Sequence, residues 1–244
     1  MYGFTFDGTH SSAFRAFAAN VKKPLLAQQR DYYEYIPGRD NTLVFTQGFE
    51  DKKITLQLVV RHDRQDKIDA LRRVASWLYR KDKKRLIFDD APDVFYLAKI
   101  SDVVEVDSKM HHSVLSITFT AEPLLQAVEL ESVTTNNNEP IVVNNKGTYD
   151  ALPVFRVTVI SKMTELKLTQ SGNVLTFKGD VAAGATLVID TENVEVYTQA
   201  GGVKTDKSAY TEGVFPTLFA GTNQIDVAMQ GAGTIRTEWR RRYL

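Results

Sequence analysis

Four histidines, His10, His62, His111 and His112, are the obvious candidates for metal or proton chemistry. A zinc pair on one helix face needs two of them three or four residues apart, and no such pair falls on a predicted helix. His111 and His112 are adjacent and point to opposite faces of a strand, so they read as a solvated strand entrance. Asp89, Asp90 and Asp93 form the densest carboxylate group and could offer hard oxygen ligands to calcium. The loop spacing and closing glutamate of a calcium hand are missing. Aspartates also favour turns because their side chains bond nearby backbone amides, and that is the reading adopted. A glycosidase needs two carboxylates roughly 5–10 Å apart, and no sequence feature points to such a pair. There is no G-x-S-x-G elbow, P-loop or G-x-G-x-x-G turn. Gly201-Gly202 and Gly231-Ala-Gly233 lack a phosphate-binding context and read as β-turn glycines. No catalytic residue, no cofactor-binding residue and no metal ligand is therefore assigned, no cofactor is expected, and the chain is read as a non-enzyme.

Composition narrows the partners. Cysteine is absent, which removes disulfides, thiolate metal sites and cysteine nucleophiles together. Thirty basic residues balance thirty acidic ones, so no long-range field draws the chain to nucleic acid or an anionic membrane. Two cationic runs stand out against that balance. Arg80-Lys-Asp-Lys-Lys-Arg85 follows a predicted helix, where cations satisfy the last carbonyls and the dipole. Arg240-Arg-Arg242, between Trp239 and Tyr243, could form a single-strand stacking stripe. On a strand, however, alternate arginines face opposite sides, and a final sheet strand with exposed arginines is favoured. No specific nucleic-acid binding is expected. Tyr197, Tyr210 and Phe215 keep open a different class of function, a carbohydrate-binding module that stacks a sugar without catalysis.

The elements that would position these residues are mostly strands. Ile54, Leu56, Leu58 and Val60 alternate on one face, as do Leu115, Ile117 and Phe119 before Pro123 ends the run. Between them, spacing predicts one helix from about Arg64 to Tyr79, with Asp63 as N-cap and Asp66 in the first turn. Its expected apolar stripe is Ile68, Leu71, Val74, Ala75 and Leu78. Leu86–Ile100 reads as two strands around the aspartate turn, a hairpin whose edges are expected to make head-to-tail contacts. Glu131–Pro140 is polar, with three asparagines and a proline, and reads as a linker. Beyond it lie seven short strands: Val154–Ile160, Leu166–Thr169, Val174–Lys178, Thr186–Asp190, Val194–Tyr197, Gln224–Met229 and Thr234–Arg240. Such a series implies a sandwich or jelly roll.

The expected fold is thus mostly β, with an α+β domain over residues 1–135 and a β-sandwich over 136–244. The first residues show no basic, apolar leader, and no stretch approaches the roughly 18 apolar residues of a membrane span. Synthesis and folding in a cytoplasm, without membrane association, are expected.

Order and motifs together resemble the distal tail proteins of long-tailed (siphovirus-type) phages and prophages of Gram-positive bacteria. In the first domain the resemblance rests on Leu71–Leu78 leading into Lys84-Arg-Leu-Ile-Phe-Asp-Asp-Ala-Pro-Asp-Val-Phe-Tyr96, then on Ser116-Ile-Thr-Phe-Thr-Ala-Glu-Pro123. In the second it rests on Thr186-Leu-Val-Ile-Asp-Thr191, Phe215-Pro-Thr-Leu-Phe-Ala-Gly-Thr-Asn223 and Trp239-Arg-Arg-Arg-Tyr-Leu244. The resemblance implies a virion protein of the tail tip. It implies a homo-hexameric ring built by the first domain, joining the tail tube protein to tail-tip or baseplate proteins (tail-associated lysin or receptor-binding proteins), with DNA passing through the channel. It also implies that the second domain is galectin-like and projects outward. Relatives with inserted sugar-binding modules are much longer, so host-surface binding is not carried over.

Overall fold

The alternating run at Ile54–Val60 becomes a strand because burying every second side chain on one face lets the backbone pair on both sides. In the computed structural model, which describes residues 2–244 and only the backbone of 105 and 106, that strand lies inside a broad antiparallel sheet. The chain divides into two compact units, one ending at Val128 and the other spanning Glu129–Tyr243. Among the described residues it has one α-helix and is otherwise mostly β, as the sequence predicts.

The first unit contains β1 (Phe4–Phe6), β2 (Thr9–His10), β3 (Ala16–Lys22), β4 (Gln29–Glu34), β5 (Leu43–Phe49) and β6 (Lys52–Arg61). Helix α1 (Lys67–Leu78) follows, then β7 (Lys84–Phe88), β8 (Val94–Ser108), β9 (His112–Ala121) and β10 (Leu125–Ala127). The main sheet runs β2-β1-β7-β8-β9-β6-β3. Its register sets Ile54 opposite Phe119, Leu56 opposite Ile117 and Leu58 opposite Leu115, all buried. The expected Leu86–Ile100 hairpin forms as β7–β8, but it lies mid-sheet between β1 and β9, so neighbouring strands already occupy its edges. Strands β4 and β5 form a separate two-stranded sheet.

Helix α1 starts three residues later than expected, with Asp66 in place of Asp63 at the N-cap. Its buried face is Ala70, Val74, Trp77 and Leu78, while Ile68 is 63% exposed and Ala75 is exposed. The residues 70, 74, 77 and 78 also have helical spacing, and the aromatic cluster beneath selects them. The Trp77 ring stacks on Phe4 and Phe14, with centroids 5.3 and 4.6 Å away. Leu71 sits half-buried at the margin of this core.

The second unit contains β11 (Glu131–Asn136), β12 (Ile141–Asn145), β13 (Val154–Gln170), β14 (Asn173–Val181), β15 (Thr186–Asp190), β16 (Glu195–Ala200), β17 (Val203–Asp206), β18 (Thr211–Gly213) and β19 (Gly221–Trp239). Two corrections follow. Glu131–Asn136 is a sheet strand rather than a linker: its backbone pairs residue by residue with Thr234–Trp239, which needs no apolar side chains. Two pairs of expected strands are also continuous, as β13 and β19, which pair along much of their lengths. Register shifts around Ser161 let both bend without breaking. Gly231, at φ 133°, permits the close approach there, since a Cβ would lie 2.7 Å from the Lys162 carbonyl oxygen. The result is a β-sandwich around Phe155, Leu166, Phe177, Ile189, Ile225 and Ile235.

Candidate functional site

The residues singled out for chemistry are dispersed into structural roles. Asp89 accepts the Gly3 amide N–H at 2.7 Å and faces the His10 ring nitrogen at 3.1 Å, fixing the turn after β7 to the N-terminal strand. Asp90 accepts from the Lys23 ammonium at 2.6 Å. Burial alone would raise the Asp90 pKa, but hydrogen bonds from Lys23 and Tyr2 outweigh it and hold the carboxyl below its ordinary value. Burial, and then the bond to Asp90, push the Tyr2 phenol well above its usual range. Asp93 is exposed on the same turn.

His62 is buried, with one ring nitrogen 3.1 Å from the Ser113 hydroxyl and the other 3.2 Å from the Asp63 carbonyl oxygen. Ser113 is itself fully buried, and His62 also borders a cavity of about 340 Å³ lined by Arg15, Asp63 and Arg73. His111 is exposed and His112 half-buried at the start of β9. Among the described residues, no three His, Asp or Glu side chains converge as metal ligands, and no helix is long and apolar enough to cross a membrane.

The cationic runs are likewise spent on neighbours. Arg80 donates to the Ser76 and Tyr79 carbonyl oxygens at 3.0 and 2.7 Å, closing the helix end, and to Asp7 at 2.5 Å. Lys83 pairs with Asp51 at 3.0 Å, and the Arg85 guanidinium lies 4.7 Å from the centre of the Phe95 ring. Arg241 pairs with Glu131 at 3.1 Å and Arg242 with Glu192 at 2.5 Å, while Trp239 is buried in the sandwich core. Of the possible sugar-stacking rings, Tyr197 lies under Lys204 at 4.1 Å and Tyr210 under Lys207 at 5.0 Å, and Phe215 packs against the core. Gly201 and Gly202 turn the chain from β16 to β17.

What remains open on the first unit is apolar surface. The β4–β5 hairpin exposes Tyr32 and Tyr33 on its first strand and Val44 and Phe45 on its second, with Tyr35 and Ile36 near its tip. A second open surface is a groove of about 400 Å³ between α1 and the sheet, lined by Leu71, Ala75, Leu78, Tyr79, Ile100 and Val103. Tyr79 is 77% exposed there. Such surfaces suit assembly better than catalysis.

Comparison with known proteins accounts for both units. The family model of a phage tail protein RIFT-related domain matches residues 18–121, and that of a siphovirus-type tail component, C-terminal domain, matches residues 146–243. The chain belongs to the siphovirus-type distal tail protein family. No curated protein sequence matches it. The fold is similar to the crystal structure of the Dit protein of phage SPP1, which is described as a paradigm of the hub adsorption apparatus in phages infecting Gram-positive bacteria. That likeness covers 100% of both chains, with a TM-score of 0.80 at 16% identity. Chains of the phage P2 baseplate in its activated conformation are also similar. With calcium the TM-score is 0.55 at 10% identity, covering 99% of this chain and 98% of the other. With strontium it is 0.55 at 10%, covering 98% and 97%.

Within this distal tail protein, the first family match spans β3 to β9 and so includes both open apolar surfaces. The hairpin was missed in the sequence, although Tyr32-Tyr33 and Val44-Phe45 flanking Pro37-Gly38 carried a usable turn signal.

Proposed function

We propose that this distal tail protein works as a ring: six copies join the tail tube to the tail-tip or baseplate proteins and leave a central channel for DNA. The first unit builds the ring and faces the tube, and the second, which takes in Glu131–Asn136, projects outward. Function then resides in surfaces, the protein is not an enzyme, and its place is the tail tip of the virion after synthesis in the host cytoplasm. Its partners are further copies of itself, the tail tube protein, and a tail-associated lysin or receptor-binding protein.

The observation that carries this reading is the likeness to a hub protein along 100% of both chains. The balanced charge supports it too, because DNA in transit must not be held by the channel subunit. Native mass spectrometry and negative-stain imaging of the purified chain test it. Six-membered rings that bind isolated tail tubes are expected. A strict monomer at all micromolar concentrations, which also fails to bind tubes, overturns the reading and returns the sugar-binding module as the better account.

A further inference from the structure

Arginines that converge without carboxylate partners repel one another, and an anion set between them removes the repulsion. On the first unit Arg15, Arg61 and Arg73 line one cavity of about 340 Å³, together with the buried His62 and with Asp63 and Asp66. They come from three elements: Arg15 follows the short 3-10 helix Ser11–Phe14, Arg61 ends β6 and Arg73 lies on α1. Among the described residues the Arg15 and Arg73 side chains make no hydrogen bond or ion pair, and the Arg61 guanidinium only lies over the Phe17 ring, 5.5 Å from its centre.

Arg15 and Arg61 also line a second cavity, of about 310 Å³, whose other walls include Tyr2, Ala16 and Phe17 and no carboxylate. Backbone pairing keeps the two arginines together, since the Arg61 N–H donates to the Arg15 carbonyl oxygen at 3.1 Å. Arg15 stands at φ 50°, a left-handed position that glycine takes without cost, and a long cationic side chain there points to use of that side chain. The nearby acids do not cancel the pair. Three arginines against two aspartates leave the first cavity a formal +1, and protonation of His62 would add to it. Asp89 is taken up by the Gly3 amide and His10, and Asp90 by Lys23.

We propose that a phosphate group binds where the two cavities meet at Arg15 and Arg61, with Arg73 lining the larger one. A guanidinium fork donates two parallel N–H bonds to two oxygens of one anion. One fork fills a carboxylate, whereas a phosphate has oxygens enough for a fork from each of two arginines. The phosphate is free or carried by a small ester, whose organic part then packs on Ala16 and Phe17 in the second cavity. Bound there, it bridges the N-terminal segment, β6 and α1 and so stabilises the first unit. The site does not depend on the ring.

Isothermal titration of the full-length chain with inorganic phosphate, phenyl phosphate and acetate, at fixed pH and ionic strength, tests it. Saturable binding of a phosphate probe is expected, with acetate at least about tenfold weaker. Arg15→Gln and Arg61→Gln each weaken that binding about tenfold, whereas Arg39→Gln, which removes a charge between β4 and β5, leaves it unchanged. All three arginines substituted are exposed, so the variants keep the fold. Tighter binding of phenyl phosphate assigns the site to an ester, and equal or tighter binding of inorganic phosphate assigns it to the free anion. No binding, acetate as tight as phosphate, unchanged binding in the two cavity variants, or an equal loss in Arg39→Gln overturns the proposal and leaves the ring reading standing.

Discussion

The Trp77 indole N–H donates to the Phe6 carbonyl oxygen at 3.1 Å across 71 residues of sequence, and this bond ties α1 to the N-terminal strand. Trp77 is buried among Phe4, Phe6 and Phe14, so the bond is shielded from water. Trp77→Ala lowers stability by about 3–5 kcal/mol, and Trp77→Phe, which keeps a ring but orphans the carbonyl, by about 1–3 kcal/mol. Urea unfolding of the two variants checks both values. A Trp77→Phe midpoint equal to wild type would show that the bond contributes nothing.

The two leucines of α1 are not equivalent. Both line the groove, but Leu78 is 2% exposed in the core, whereas Leu71 is only half-buried at its margin. Leu78→Ala costs about 2–5 kcal/mol and Leu71→Ala less than half of whatever Leu78→Ala costs. If denaturant midpoints fall equally, the burial of the helix face is misassigned.

Gly213 sits at φ 105°, and a Cβ there would lie 2.0 Å from the Val174 carbonyl oxygen, inside the β14–β18 pairing. Gly172 has a comparable φ of 84° but open space around it. Gly172→Ala costs about 1 kcal/mol of backbone strain, and Gly213→Ala costs clearly more because backbone must also move. Thermal unfolding of the two variants ranks them, and equal losses would mean that β18 yields freely.

Asp90 has a folded pKa below its unfolded value of 3.8, so its bonds to Lys23 and Tyr2 add stability above that pH. The contribution is lost as pH falls from about 4 through the folded pKa. Asp90→Asn is therefore less stable than wild type at pH 7, and the gap narrows at pH 3. The stability it adds is small, because the carboxylate is 47% exposed and screened. A gap that stays constant between the two pH values would place the effect in packing rather than charge.

Much of this protein was legible one residue at a time. Alternation at Ile54–Val60 and Leu115–Phe119 named two central strands and their buried faces, because period-two burial is a local property of an extended chain. The order of segments resembled the right family, since that order is itself sequence information. Other features depended on neighbours. Two apolar stripes overlap on α1, and only the aromatic cluster of Phe4 and Phe14 decided that Trp77 and Ala70 turn inward while Ile68 and Ala75 face water. Glu131–Asn136 looked like a linker because its side chains are polar, yet sheet pairing joins backbone to backbone and asks nothing of them. The dispersal of His62, Asp89 and Asp90 into separate hydrogen bonds was likewise settled by chain segments dozens of residues away. Periodicity reports that a residue wants a partner; tertiary structure alone decided which partner each one found, as it set Tyr32 against Phe45.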